Sequence, residues 1–323
     1  MVAAVPLPLG ASGLQTVTMA LDEDTHGPQR ISSAGFPLPG AGHAMVAVAA
    51  PGPGPQRWAG APSAWLDVDG STLLAYRVRA EEDFNVVARS TDGERFTTVA
   101  MLPRDLFGAM MVERPALVRT SSGMWRLYVS CATPGTKHWW IGVLEAADPE
   151  GLPAASVRRV FEGDERTAVK DPVIHHDGER WQAWICCHPL DEPGEEDRMT
   201  TAYATSHDGL RWAWHGTVLT GRPGRWDARG TRLTSVLADG RASYDGRASV
   251  EENWFERTGL AAPARAGHAP PIVPIEDSPV VDVRYLEVLA LPEGGHRIFY
   301  EARLPDESHE LRTELIAPAV AQR

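Results

Sequence analysis

The stretch from Lys170 to Trp212 reads KDPVIHHDGERWQAWICCHPL, then a polar loop DEPGEEDRM, then TTAYATSHDGLRW. Asp171-Pro172 opens the apolar pair Val173-Ile174, and His175-His176-Asp177-Gly178 is a turn. Trp181 to Cys187 is a second strand of aromatic and branched residues, and Ala202 to Thr205 a third. Ser206-His207-Asp208-Gly209 is another turn, and Trp212 begins a fourth strand. Short apolar runs punctuated by Asp-Gly predict antiparallel hairpins. Four strands in a module of this size predict one blade of a β-propeller.

The module recurs. Upstream, AWLDVDGSTLLAYRVR (64–79) and NVVARSTDGERF (85–96) repeat the turn, the aromatic strand and the closing Asp-Gly. ALVRTSSGMWRLYVS (116–130) with HWWIGVLEA (138–146) forms another copy. Downstream, WDARGTRLTSVLADGRASYDGRA (226–248) is a fourth copy without its Pro, and VVDVRYLEVLALPEGGHRIFYEAR (280–303) a fifth. The unit starts at Pro62, Pro115 and Pro172 set a period of about 55 residues. Five units from Trp58 to Ile316 predict an all-β, five-bladed propeller of four antiparallel strands per blade, a single domain over 58–323. Residues 1–57 form an N-terminal segment in which GLQTVTMALD (13–22) and HAMVAVAAP (43–51) are each strand-like, and this segment is expected to complete the last blade in part.

Composition excludes several classes. With 323 residues, 43% hydrophobic content and 11 Trp, the chain can build a large core, and each Trp is first a packing residue. A net charge of -12 argues against nucleic acid or an anionic membrane as partner. No run of 18 apolar residues predicts a membrane span, and the N-terminus lacks a basic region before its apolar residues, so a cytoplasmic protein is expected. Cys131, Cys186 and Cys187 are too few and too oddly spaced for a disulfide framework or a metal site.

Charged residues near the blade starts are the functional candidates, because the first strand of each blade lines the central channel and its entry residues converge on one mouth. Glu113 and Asp171 occupy equivalent places there. Alternation puts Arg77 and Arg79 on one strand face, suited to a carboxylate or phosphate. Arg114, His138, His188, Asp197, Arg198, Arg229, Asp245 and Arg247 cluster near predicted strand ends and are candidate ligand contacts. No cofactor is expected, although acids and histidines at the channel would also suit a divalent cation such as calcium.

On the blade period, the Asp171-Pro172 unit and the endings at Ser90–Phe96 and Ser206–Trp212, the chain resembles the five-bladed propeller carbohydrate enzymes. These are the arabinanases and β-xylosidases, the invertases and levansucrases, and the mannoside phosphorylases. The resemblance implies three acids in a central funnel: a base or nucleophile on the first blade, an orienting acid, and a general acid. Asp171 matches the Asp-Pro carboxylate of the middle blade, and Glu113, Glu251, Glu252 or Glu256 matches the acid. Among these, Asp171, Glu113 and Glu252 form the expected catalytic set. The first blade departs from the pattern, since Ala61 stands ahead of Pro62 where the base is expected. The implied function is a glycosidase-like enzyme acting on a glycoside with an anionic group. The alternatives are a glycoside phosphorylase and a non-catalytic propeller that binds carbohydrate or protein.

Overall fold

In the computed structural model, residues 32–264 and 271–318 are described; the strand expected at 13–22 lies outside them. The inner strands of the five blades are Trp58–Leu66, Val112–Arg119, Thr167–His176, Gly230–Val236 and Arg284–Ala290. The second, third and fourth blades are separate four-stranded antiparallel sheets. In the last blade Arg284–Ala290, His296–Arg303 and His309–Ile316 are followed by Met45–Val48, which pairs antiparallel with His309–Ile316 as the outer strand. One parallel bridge, Trp58 to His309, joins this blade to the first. No described helix is long and apolar enough to cross a membrane.

Blades pack through both faces, so their second strands are apolar throughout rather than alternating with solvent. Leu73 and Ala75 face the second blade, where they meet Leu117, Leu127 and Trp140, while Leu74 and Tyr76 face the last blade at Phe299 and Leu311. Tyr128 and Ile141 meet Trp181 and Ile185 at the next interface, and Trp184 and Tyr203 meet Leu233 and Tyr244 at the one after. Leu260 meets Leu286 and Ile298 at the fifth interface. One core per blade interface closes the ring. Each fully buried Leu or Phe stabilises by roughly 1.5–3 kcal/mol.

The inner strands share a defect that shapes the channel mouth. Each slips register by one residue, between Gly60 and Ser63, Val112 and Pro115, Lys170 and Val173, Leu233 and Ser235, and Arg284 and Glu287. Such bulges redirect side chains toward a site. Pro62 and Pro172 sit in the bulges, where the ladder asks for no N–H. The register makes Ala61, Glu113, Asp171 and Tyr285 equivalent, so that bulge position and not the Pro defines the ring. Ala61, Asp171 and Tyr285 adopt φ of 53°, 51° and 51°. Non-glycine residues there cost on the order of 1–3 kcal/mol and need outside support. The preceding blade supplies it. The Ala61 N–H donates to Glu301 at 3.1 Å, the Asp171 N–H to Ser130 Oγ at 2.8 Å, and the Tyr285 N–H to Asp245 at 3.1 Å.

Candidate functional site

The entry ends of the inner strands open into a funnel of about 480 Å³. Trp58, Glu113, Lys170, Arg232, Arg284 and Tyr285 reach it from the inner strands or their leading edge. Arg77, Arg79, His188 and Arg247 reach it from the ends of second strands, and Lys137, Glu196, Asp197, Trp254 and Glu256 from the loops. Seven of these side chains are Arg or Lys and four are carboxylates, and the buried Asp171, Asp245 and Glu301 behind the wall pair with Arg232, Arg77 and Arg284.

Three of the four carboxylates are bound by arginine. Glu113 accepts from Arg77 at 2.7 Å and from Arg79. Glu256 accepts from Arg247 at 2.5 Å and pairs with Arg284 at 2.8 Å. Asp197 accepts from Arg229 at 2.5 Å. Burial alone would raise Glu113, but Arg77 and Arg79 outweigh it and hold the carboxyl well below its ordinary range. Burial likewise opposes Arg284, Arg232 and Arg247 at Glu256 and loses, leaving that carboxyl at about 2. Burial, and then Lys170, push His188 down, so its imidazole is neutral; Nδ1 lies 2.7 Å from the Glu196 carbonyl.

The funnel floor is Tyr285. Its ring stacks on Arg232 with the guanidinium 3.8 Å from the centroid, and its hydroxyl donates to Asp171 Oδ2 at 3.2 Å. Asp171 is fully buried beneath it, also accepts from Arg232 at 3.2 Å, and leaves Oδ1 without a hydrogen bond. The Lys170 ammonium lies 3.9 Å from Asp171 Oδ2, beyond hydrogen-bond reach, and 4.7 Å over Trp139.

Of the residues singled out from sequence, Glu113, Arg77, Arg79, His188, Asp197 and Arg247 line the funnel. Asp171 and Asp245 lie under it; Asp245 binds Arg232 at 2.6 Å, and burial raises its carboxyl despite that arginine. Glu252 does not join them. It sits on a turn, accepts from the Ala248 N–H at 2.8 Å and pairs with Arg257 at 2.9 Å, while its neighbour Glu256 faces inward. Arg114 points deeper along the channel, donating to the Thr234 carbonyl at 2.6 Å and to Glu287 at 3.1 Å. His138 is held by Thr133 Oγ1 at 3.0 Å, and its neighbours Lys137 and Trp139 take the wall instead. Arg229 stands behind Asp197, and Arg198 faces away from the funnel. Lys170, Arg232, Arg284, Tyr285 and Trp254 were not among the candidate ligand contacts. The ladder slip that aligns Lys170 with Arg284 and Asp171 with Tyr285 comes from pairing across strands and is not written in any one unit.

Glu301, from the last blade, packs against the backbone of the first inner strand: the Ala61 N–H donates to it at 3.1 Å, and a Cβ on Gly60 would come within 1.9 Å of its Oε2. Glu301 is fully buried and bound by Arg77 at 2.8 Å, Arg284 at 2.8 Å and His309 at 2.5 Å. It is sealed from the funnel, and no carboxylate of the first inner strand reaches the funnel among the described residues. Among the described residues no three His, Cys, Asp or Glu side chains come together as a cation cage.

The sequence matches no family model and no curated protein. Solved structures match the fold. An α-L-arabinofuranosidase from Lactobacillus brevis aligns over 80% of this chain and 90% of its own, at 14% identity and a TM-score of 0.61. A β-1,2-mannobiose phosphorylase from Listeria innocua, solved with β-1,2-mannobiose, aligns over 87% and 92%, at 14% identity and a TM-score of 0.58. A thermostable family-43 glycoside hydrolase aligns over 80% and 88%, at 13% identity and a TM-score of 0.61. The chain therefore has the propeller fold of these glycoside hydrolases and phosphorylases.

Proposed function

We propose that the funnel holds a glycoside together with an anion, and that its chemistry is phosphorolysis of a glycosidic bond rather than hydrolysis. The observation that carries this reading is the commitment of the wall acids: Glu113, Asp197 and Glu256 are each bound by arginine, while the Lys170 ammonium faces the funnel 3.9 Å from Asp171, beyond hydrogen-bond reach. Two-carboxylate hydrolysis needs one acid free to donate a proton and a second free to activate water or attack. Phosphorolysis needs one acid, because the attacking oxygen belongs to the phosphate, and it needs cations to hold that phosphate. Lys170 and Lys137 line the wall where they can hold it, and Trp254 offers a face to the sugar. A phosphate oxygen forms the bond to the anomeric carbon as the glycosidic C–O bond breaks. Tyr285, with Asp171 behind it, gives its hydroxyl proton to the leaving oxygen and recovers one from the attacking hydrogen phosphate. A glycoside that carries its own carboxylate uses the same cations. Support for either reaction comes from the fold, which this chain shares with an arabinofuranosidase and a β-1,2-mannobiose phosphorylase.

A second reading, binding without turnover, is favoured by the same ion pairs, since an acid held by two arginines is a poor proton donor. Incubation with aryl glycosides and β-linked manno-oligosaccharides, with and without orthophosphate, separates the two. Phosphate-dependent release of a sugar 1-phosphate, abolished in Asp171→Asn and Lys170→Met, is the expected result. Turnover without phosphate returns the site to the hydrolases. No turnover, with orthophosphate still bound in calorimetry, leaves a recognition module.

A further inference from the structure

Of the 11 tryptophans, two are largely exposed, Trp254 at 44% and Trp214 at 46%. Trp254 stands at the funnel. Trp214 stands at a second cavity of about 600 Å³, between the outer strand Arg158–Phe161 of the second blade and the sheet of the third. This is the size of a small-molecule site. Trp214 comes from the outer strand Ala213–Leu219 and rests edge-on against buried Phe161, with centroids 5.6 Å apart. Gly216, two residues on, has φ of 88° and nothing within 4 Å of where a Cβ would stand, so the space beside the indole is open. Thr167, Thr200 and Thr217 add hydroxyls, and Glu162 and Asp164 add carboxylates.

We infer that this cleft binds a neutral sugar unit of an oligo- or polysaccharide. A sugar ring offers an apolar C–H face to an indole and hydroxyl donors to carboxylates and threonines. An anionic sugar suits the cleft poorly. Among the described residues Arg198 is its one cation, and that guanidinium is already held by the Glu195 carbonyl at 2.9 Å and by Asp191 at 2.6 Å. The cleft and the funnel share a wall one chain thick. His188 faces the funnel while Cys187 and Pro189 face the cleft; Asp197 and Met199 face the funnel while Arg198 and Thr200 face the cleft. A saccharide chain leaving the funnel over the 190–198 loop reaches the cleft directly.

Affinity electrophoresis in native gels containing yeast mannan, arabinan, xylan or β-glucan tests this without any assay of turnover. The wild type is retarded by at least one polysaccharide. Trp214→Ala loses the retardation, with Kd raised about tenfold or more, Trp214→Phe retains most of it, and thermal unfolding shows all three folded. Trp254→Ala remains retarded. A wild type unretarded in all four gels overturns the inference. So does retardation that survives Trp214→Ala, or that is lost only in Trp254→Ala, which assigns binding to the funnel. Phosphorolysis is measured separately, so its failure leaves this test intact.

Discussion

The two ends of the central channel are built from the same five strands and share almost no chemistry. At the entry, bulges turn charged side chains into a ring of ion pairs around Tyr285. At the far end the same strands run on as Ala64–Leu66, Leu117–Arg119, Ile174–His176 and Glu287–Ala290, and they line a cavity of about 700 Å³ with mainly apolar and aromatic groups. Glu287 is the acid on its inner-strand wall. There the slipped ladder has recovered its register, and side chains alternate as in any buried sheet. The bulge, and not the strand, separates a site from a core: it costs backbone strain and buried charge, and those costs are met only at the end where a ligand can return them.

The largest effect expected from this contrast is at Glu301. Glu301→Ala strips the common partner from Arg77, Arg284 and His309 in a sealed place and releases the Ala61 N–H. It should cost about 3–5 kcal/mol in urea unfolding. If it costs no more than Leu289→Ala at the far mouth, the entry ring is not a coupled unit.

The two ends should also carry opposite pH signatures. Glu256 sits at about 2, below its ordinary 4.5, so its contribution is full above pH 4.5 and is lost as pH falls toward 2. That loss is on the order of 3 kcal/mol. Burial raises Glu287 to about 7 against the pull of Arg114. The folded protein then keeps a proton that the unfolded chain has released, and stability falls as pH rises from 4.5 to 7, by on the order of 3 kcal/mol. Stability measured across pH should lose the upper slope in Glu287→Gln and keep the lower one. A Glu287→Gln profile parallel to wild type would break the comparison.

Smaller effects sharpen it. Tyr285→Phe removes the hydrogen bond to Asp171 Oδ2 and should cost about 1–2 kcal/mol of stability, and under phosphorolysis it removes the proton donor, so turnover should fall by about 100-fold or more. Trp254→Ala should change stability by less than about 0.5 kcal/mol, since the indole is largely exposed, while weakening glycoside binding in calorimetry.

The blades were legible because their signals are local. The Asp208 carboxylate that accepts the Leu210 and Arg211 N–H groups at 2.8 Å, and Ser206 Oγ that accepts from Gly209, are written within a few residues of one another. The apolar second strands are equally plain. The candidate site was legible only in part, because its partners are far apart in sequence: Arg77 binds Glu113 and Glu301, which belong to the second and last blades. Asp171 could be found from its Pro, but the fourth blade has no Pro to mark Arg232, and the fifth has Leu286 where Tyr285 should announce itself. Glu252 was preferred over Glu256 because four residues of turn cannot be oriented without a register. Nothing in the first unit says that Glu301, some 240 residues on, packs against Gly60 and Ala61.

The outer strand Met45–Val48 and the bridge from Trp58 to His309 bear on how the molecule is made. A chain emerging from the ribosome can form its middle blades one after another from neighbours in sequence. Met45–Val48, laid down early, must wait for His309–Ile316, so it stays unpaired and the ring stays open until the fifth unit has emerged. Long-range pairing of this kind is slow, and an unpaired edge invites the wrong partner. The closing seam is therefore where misassembly, and exchange of the strand between two copies, should begin.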